Sequence, residues 1–133
     1  MSTLRVNNLT DTSGTAANLG IPGAAKAWVN FDANPSVTIR AAYNVSSITD
    51  SGTGVFIINF TNAMTDSNYS LVGTASSYTN DMTGTVLAVD ARNEYTNGGS
   101  GPDNKTTTQC QITTAGGATG FDPYDVNIVV FGL

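Results

Sequence analysis

The residues that could do chemistry are few. There is no His, which excludes His-based acid–base catalysis, a Ser-His-Asp triad and His-ligated zinc. The single Cys, Cys110, allows no intrachain disulfide and no multi-Cys metal site, and reads as a small packing hydrophobe. Nine Asp and one Glu are scattered along the chain. Glycoside hydrolysis needs two carboxyls flanking one bond, and Glu94 with Asp90 or Asp103 is the only grouping near a long loop. Asp32, Asp50, Asp66, Asp81, Asp103 and Asp122 instead stand in turn sequences, where Asp bonds its own backbone. The runs Asp103-Asn104 and Asp122-Pro123-Tyr124-Asp125 carry the oxygens calcium takes, but no EF-hand or nonapeptide spacing. The expectation is a non-enzyme with no catalytic residue, metal or cofactor.

Binding chemistry is better represented. Net charge is −5, and the five basic residues do not cluster, so nucleic acid is not an expected partner. Five Tyr and 14 Asn supply flat rings and two-way hydrogen-bonding amides. Tyr78, Asn80, Asn93, Tyr95, Asn97 and Tyr124 fall in glycine-bearing loops and are the candidate binding residues. Trp28, Tyr43 and Tyr69 read as core or interface packing. Five N-x-S/T triplets, at Asn8, Asn44, Asn59, Asn68 and Asn104, follow from the abundance of Asn, Ser and Thr. The start has no apolar signal region and no apolar stretch could span a bilayer, so synthesis in the cytoplasm without membrane insertion is expected.

The elements that must position these residues are strands. Thr, Ser, Asn and Gly make up 59 of the 133 residues, and Val, Ile and Thr number 38 against 6 Leu, 2 Lys, 2 Gln and 1 Glu. β-Branched residues suit a pleated surface, and the straight-chain helix formers are nearly missing. With 40% hydrophobic and 11% charged residues the chain is not disordered in composition. Alternation predicts strands over Ala27–Phe31, with Trp28 and Asn30 on the second face, and over Ser36–Tyr43, with Val37, Ile39, Ala41 and Tyr43 on one face. Further strands are predicted over Val45–Thr49, Val55–Phe60, Tyr69–Ser76, Thr85–Ala91, Thr106–Thr113 and Asp125–Phe131. Asp50–Gly54 reads as a hairpin loop with two glycines free to take positive φ. Turn signals every 8–12 residues predict one small antiparallel β-sandwich or barrel over residues 27–133. Residues 1–26, polar but carrying Leu4, Val6 and Leu9, read as an extended N-terminal arm.

Three phrases resemble a known module: AKAWVNFD (25–32), VTIRAAYNVSSITDSGTG (37–54) and INFTNAMTDSNYSLVG (58–73). They are similar to a module of tail fibres and related virion proteins of tailed bacteriophages, notably those of cyanobacteria. STLRVNNLTDTSGTAA (2–17) resembles the peptide that often precedes it. Asp32-Ala33-Asn34-Pro35 departs from the Gly-Thr-Gly type turn of the family, and neither a shaft nor a large docking domain is expected from these 133 residues. The resemblance implies a virion structural protein, a homotrimer, with residues 1–26 attaching to other virion proteins. It gives a short tail-fibre component whose loops within 76–83, 92–105 and 115–124 contact a host glycan or protein. The alternative is a capsid or tail decoration (head-fibre or cement) protein. A carbohydrate-binding module and a polysaccharide depolymerase are the rivals from other classes, the second disfavoured by length and the single Glu.

Overall fold

A computed structural model describes residues 24–76, 85–88, 105–116 and 119–132. These form strands only: β1 (Ala25–Asp32), β2 (Thr38–Tyr43), β3 (Val45–Gly52), β4 (Val55–Phe60), β5 (Ser70–Ala75), β6 (Thr85–Ala88), β7 (Gln109–Gly116), β8 (Thr119–Gly120) and β9 (Val126–Phe131). They build two antiparallel sheets that do not close into a barrel, so the fold is a small β-sandwich. The first sheet has the order β2-β1-β9-β5, and the second β3-β4-β7-β6 with β8 paired to β7. β1 begins at Ala25, two residues inside the stretch read as an arm.

The core follows from period-2 alternation. Ala27, Val29 and Phe31 of β1 and Val126, Ile128 and Val130 of β9 are buried on one side. They face Phe56, Ile58 and Phe60 of β4 and Cys110 and Ile112 of β7, also buried. Phe31 meets Phe56 edge to face across the sheets, ring centroids 5.4 Å apart. Each such large apolar side chain contributes about 1.5–3 kcal/mol through burial. The second faces of β4 (Val55, Ile57, Asn59) and β9 (Asn127, Val129, Phe131) stay half-buried.

One residue carries the chain from sheet to sheet. Asn44, between β2 and β3, has φ 54°, a conformation Asn tolerates better than other side-chain-bearing residues. Its amide donates to the carbonyls of Lys26 (3.0 Å) and Asn62 (3.2 Å) and accepts from the Asn62 N–H (2.8 Å). Its own carbonyl accepts from the Thr61 N–H. The amide of Asn59 is likewise used, donating to Ser47 and Thr49 on the outer face of the second sheet.

The faces of β2 differ from the alternation read in the sequence. Asn30 pairs with Ala41 but Phe31 pairs with Ile39, so Arg40 is an extra, unpaired residue. A bulge of this kind flips the face of everything beyond it. Ala41 and Tyr43 therefore lie on the outer face with Asn30 and Trp28. Ile39 lies on the inner side with Phe31, yet stays 37% exposed at the sheet edge.

Candidate functional site

Of the candidate binding residues, only Tyr124 lies among the described ones. Tyr78, Asn80, Asn93, Tyr95 and Asn97 lie outside them, as do Leu4, Val6 and Leu9 of the arm and Glu94, Asp90 and Asp103. Tyr124 follows buried Pro123, is 49% exposed, and its carbonyl accepts from the Arg40 guanidinium.

Tyr124 borders a polar network on the outer face of the first sheet. The bulge aims Arg40 at two carboxylates, Asp125 (2.7 Å) and Asp32 (2.9 Å). Asn30 donates to Asp125 (2.6 Å) and to the Asn127 side-chain oxygen (2.7 Å), and Asn127 donates to Asp125 (2.9 Å). The Asn30 hydrogen bond, with those from Asn127 and Arg40, holds the Asp125 carboxyl below its usual range. A carboxylate so held is a poor proton donor near neutral pH. The network orders the surface and anchors the Tyr124 turn to β1 and β2.

Of the two calcium-like runs, Asp103-Asn104 lies outside the described residues, and the carboxylates of the other have protein partners. Asp122 accepts from the Gly54 N–H (2.7 Å), which ties it to the β3–β4 hairpin, and Asp125 pairs with Arg40. Among the described residues no three His, Cys, Asp or Glu side chains are grouped to hold a metal ion. Nor is any helix there long and apolar enough to cross a membrane.

The three aromatics read as packing separate into two roles. Tyr69 is core: 2% exposed, edge to face with Phe60 at 5.6 Å, its hydroxyl directed at the carbonyls of Thr106 (2.8 Å) and Gln109 (3.0 Å). Lys105 lies 5.1 Å from the centre of the same ring and donates to the Tyr69 carbonyl. Burial, more than any neighbouring charge, pushes the Tyr69 phenol well above its ordinary value. Trp28 and Tyr43 instead pair across β1 and β2 on the outer face. The register extends that row to Val129 of β9 and Val72 of β5, with Trp28 38% and Val72 58% exposed. The next row along the strands is Ala41, Asn30, Asn127 and Thr74.

The outer face thus has an uncharged apolar row bordered by amides and by an ion cluster in which two carboxylates share one guanidinium. Sequence alternation placed Trp28 and Asn30 together, but Arg40 and Val72 joined them only through long-range register. Comparison of the chain with protein-family models, with curated proteins and with solved structures gave no match in any of the three.

Proposed function

We propose that this chain is a structural protein of a tailed-bacteriophage virion, a short fibre-like component that works by binding and not by catalysis. Residues 1–26 join it to other virion proteins, and the loops carrying Tyr78, Asn80, Asn93, Tyr95, Asn97 and Tyr124 meet a host glycan or protein. Three copies form the unit. The observation that carries the reading is where the family-like phrases fall: AKAWVNFD is β1, and VTIRAAYNVSSITDSGTG runs through β2, the Asn44 crossing and β3. The phrases at 25–32, 37–54 and 58–73 supply β1, β2, β3 and parts of β4 and β5, while the candidate contact loops lie outside those phrases.

Immunogold labelling of purified particles tests the reading. Labelling at the tail tip, with adsorption lowered by Tyr78→Ala and Tyr95→Ala together, is the expected result. Labelling over the capsid, with adsorption unchanged and capsids less stable without the protein, replaces the fibre by the decoration reading. A protein missing from purified particles ends the virion assignment.

A further inference from the structure

We infer that the end of the sandwich opposite the N-terminal arm is its contact end, and that Arg40 is the positioning residue there, acting through Tyr124. The inference rests on the proposed host contact and assigns its geometry. The chain enters β1 at Ala25, beside the crossing where the Asn44 amide holds the Lys26 carbonyl. β1 spans 8 residues and ends at Asp32. An extended strand of that length measures roughly 25 Å. At its far end the Ala33 N–H donates to the Pro123 carbonyl (2.9 Å), so Phe121–Asp125 caps the end away from the arm. A sandwich tethered by its N-terminal arm therefore carries this cap farthest from the tether and first toward a host.

The cap is built to hold one side chain in a fixed direction. Each of its residues is tied to a different neighbour. Phe121 exchanges bonds with Thr114, its N–H donating to the Thr114 carbonyl and its carbonyl accepting from the Thr114 hydroxyl (2.6 Å). Asp122 takes the Gly54 N–H, Pro123 the Ala33 N–H, Tyr124 the Arg40 guanidinium, and Asp125 the Ser76 N–H (2.8 Å). Pro123 is buried, Phe121, Asp122 and Asp125 are half-buried, and Tyr124 is exposed. An aromatic side chain on a backbone held this way loses little freedom on binding, which suits it to be an anchor. Of these ties only Arg40's comes from an exposed side chain, and it is made to Tyr124 itself. The bulge sets Arg40 aside from the β1 pairing, and its guanidinium also spans Asp32 and Asp125. Without Arg40 the Tyr124 carbonyl loses that hold and the two carboxylates lose their shared cation, while the other four ties remain. The cap then stays folded, but Tyr124 no longer keeps one direction.

The test is a double-mutant cycle on particles carrying Tyr124→Ala, Arg40→Met or both, with Cys110→Ala as a core variant away from the cap. Immunoblots check equal incorporation, urea unfolding of the purified proteins checks stability, and the adsorption rate constant on host cells is the readout. Tyr124→Ala is expected to lower adsorption at least about 10-fold, and Arg40→Met roughly 3- to 10-fold. In the Tyr124→Ala background Arg40→Met should cost less than about 2-fold more, because the side chain it positions is gone. Arg40→Lys, which keeps the charge without the planar fork, should fall between Arg40→Met and wild type. Cys110→Ala should lower the urea midpoint and leave adsorption unchanged. An equal loss from Arg40→Met in both backgrounds, or a matching loss in Cys110→Ala, means that Arg40 acts through stability alone and overturns its positioning role. Unchanged adsorption in Tyr124→Ala, with Tyr78→Ala and Tyr95→Ala still lowering it, overturns this contact end and leaves the proposed host contact standing. Adsorption unchanged by all of them removes the host contact and this inference together, while the particle labelling above still decides the virion reading.

Discussion

At the scale of single residues, Cys110 shows how burial sets chemistry. It sits on β7 opposite Ile58, fully buried, and desolvation pushes its thiol up to about 12 from an ordinary 9.0, against the opposing pull of Lys105. The thiolate is the reactive form, so native Cys110 should label with a disulfide reagent far more slowly than the urea-unfolded chain. The sign of the pH effect follows from which state keeps the proton. Below pH about 9 both states are protonated and Cys110 adds no slope. Above it the unfolded chain ionises first, so stability falls, by up to about 1.4 kcal/mol per pH unit, until the folded thiol also ionises near 12. Cys110→Ala should cost modestly at pH 7 and flatten the alkaline decline measured by urea unfolding. Parallel pH profiles for the two proteins would show that Cys110 has no such linkage.

At the scale of elements, the β3–β4 hairpin is held by what its tip touches. Gly54 has φ +74°, and its N–H donates to Asp122 while its carbonyl accepts from the Thr114 N–H (2.8 Å). A Cβ there would collide with the Thr114 carbonyl oxygen and stand 2.8 Å from the Phe121 nitrogen, both backbone. Gly52, at φ +132°, has open space around it. Gly52→Ala should therefore cost only the strain of a nearly Gly-only backbone conformation, on the order of 1–3 kcal/mol, and Gly54→Ala that kind of strain plus a backbone clash. Equal urea midpoints for the two variants would mean the hairpin tip is not docked. The two glycines were legible in the sequence, as were the two faces of β1 and the packing place of Cys110, because alternation and turn chemistry are local. The bulge at Arg40 was not, since it exists only in the register between β2 and β1. Nor was the Arg40–Tyr124 contact, which joins residues 84 positions apart. Of the candidate loop residues, only Tyr124 can be placed against this frame.

At the scale of the whole molecule, the last strand closes the fold. β9 lies between β1 and β5 and pairs with both over nearly its full length. It also supplies Val126, Ile128 and Val130 to the core. Removing it would leave two strands of the first sheet without a shared partner and expose the apolar side of the second. Every described strand, by contrast, has its pairing partner within residues 24–132. Two truncations should therefore behave oppositely. A chain starting at residue 24 should keep the strand signature in circular dichroism and a cooperative unfolding transition. A chain ending at Asp125 should lose both, because the ladder hydrogen bonds of β9 and its buried side chains go together, and a domain of this size has only about 5–15 kcal/mol to lose. If the chain starting at residue 24 were unfolded, residues 1–23 would have to complete a sheet or cover a face of the sandwich. They could not then be an arm reserved for a partner. If it folds but fails to join particles assembled in its presence, the division of labour is the proposed one with its border moved from residue 26 to residue 24, just before β1 begins: residues 24–132 make the sandwich, and the segment before them makes the attachment.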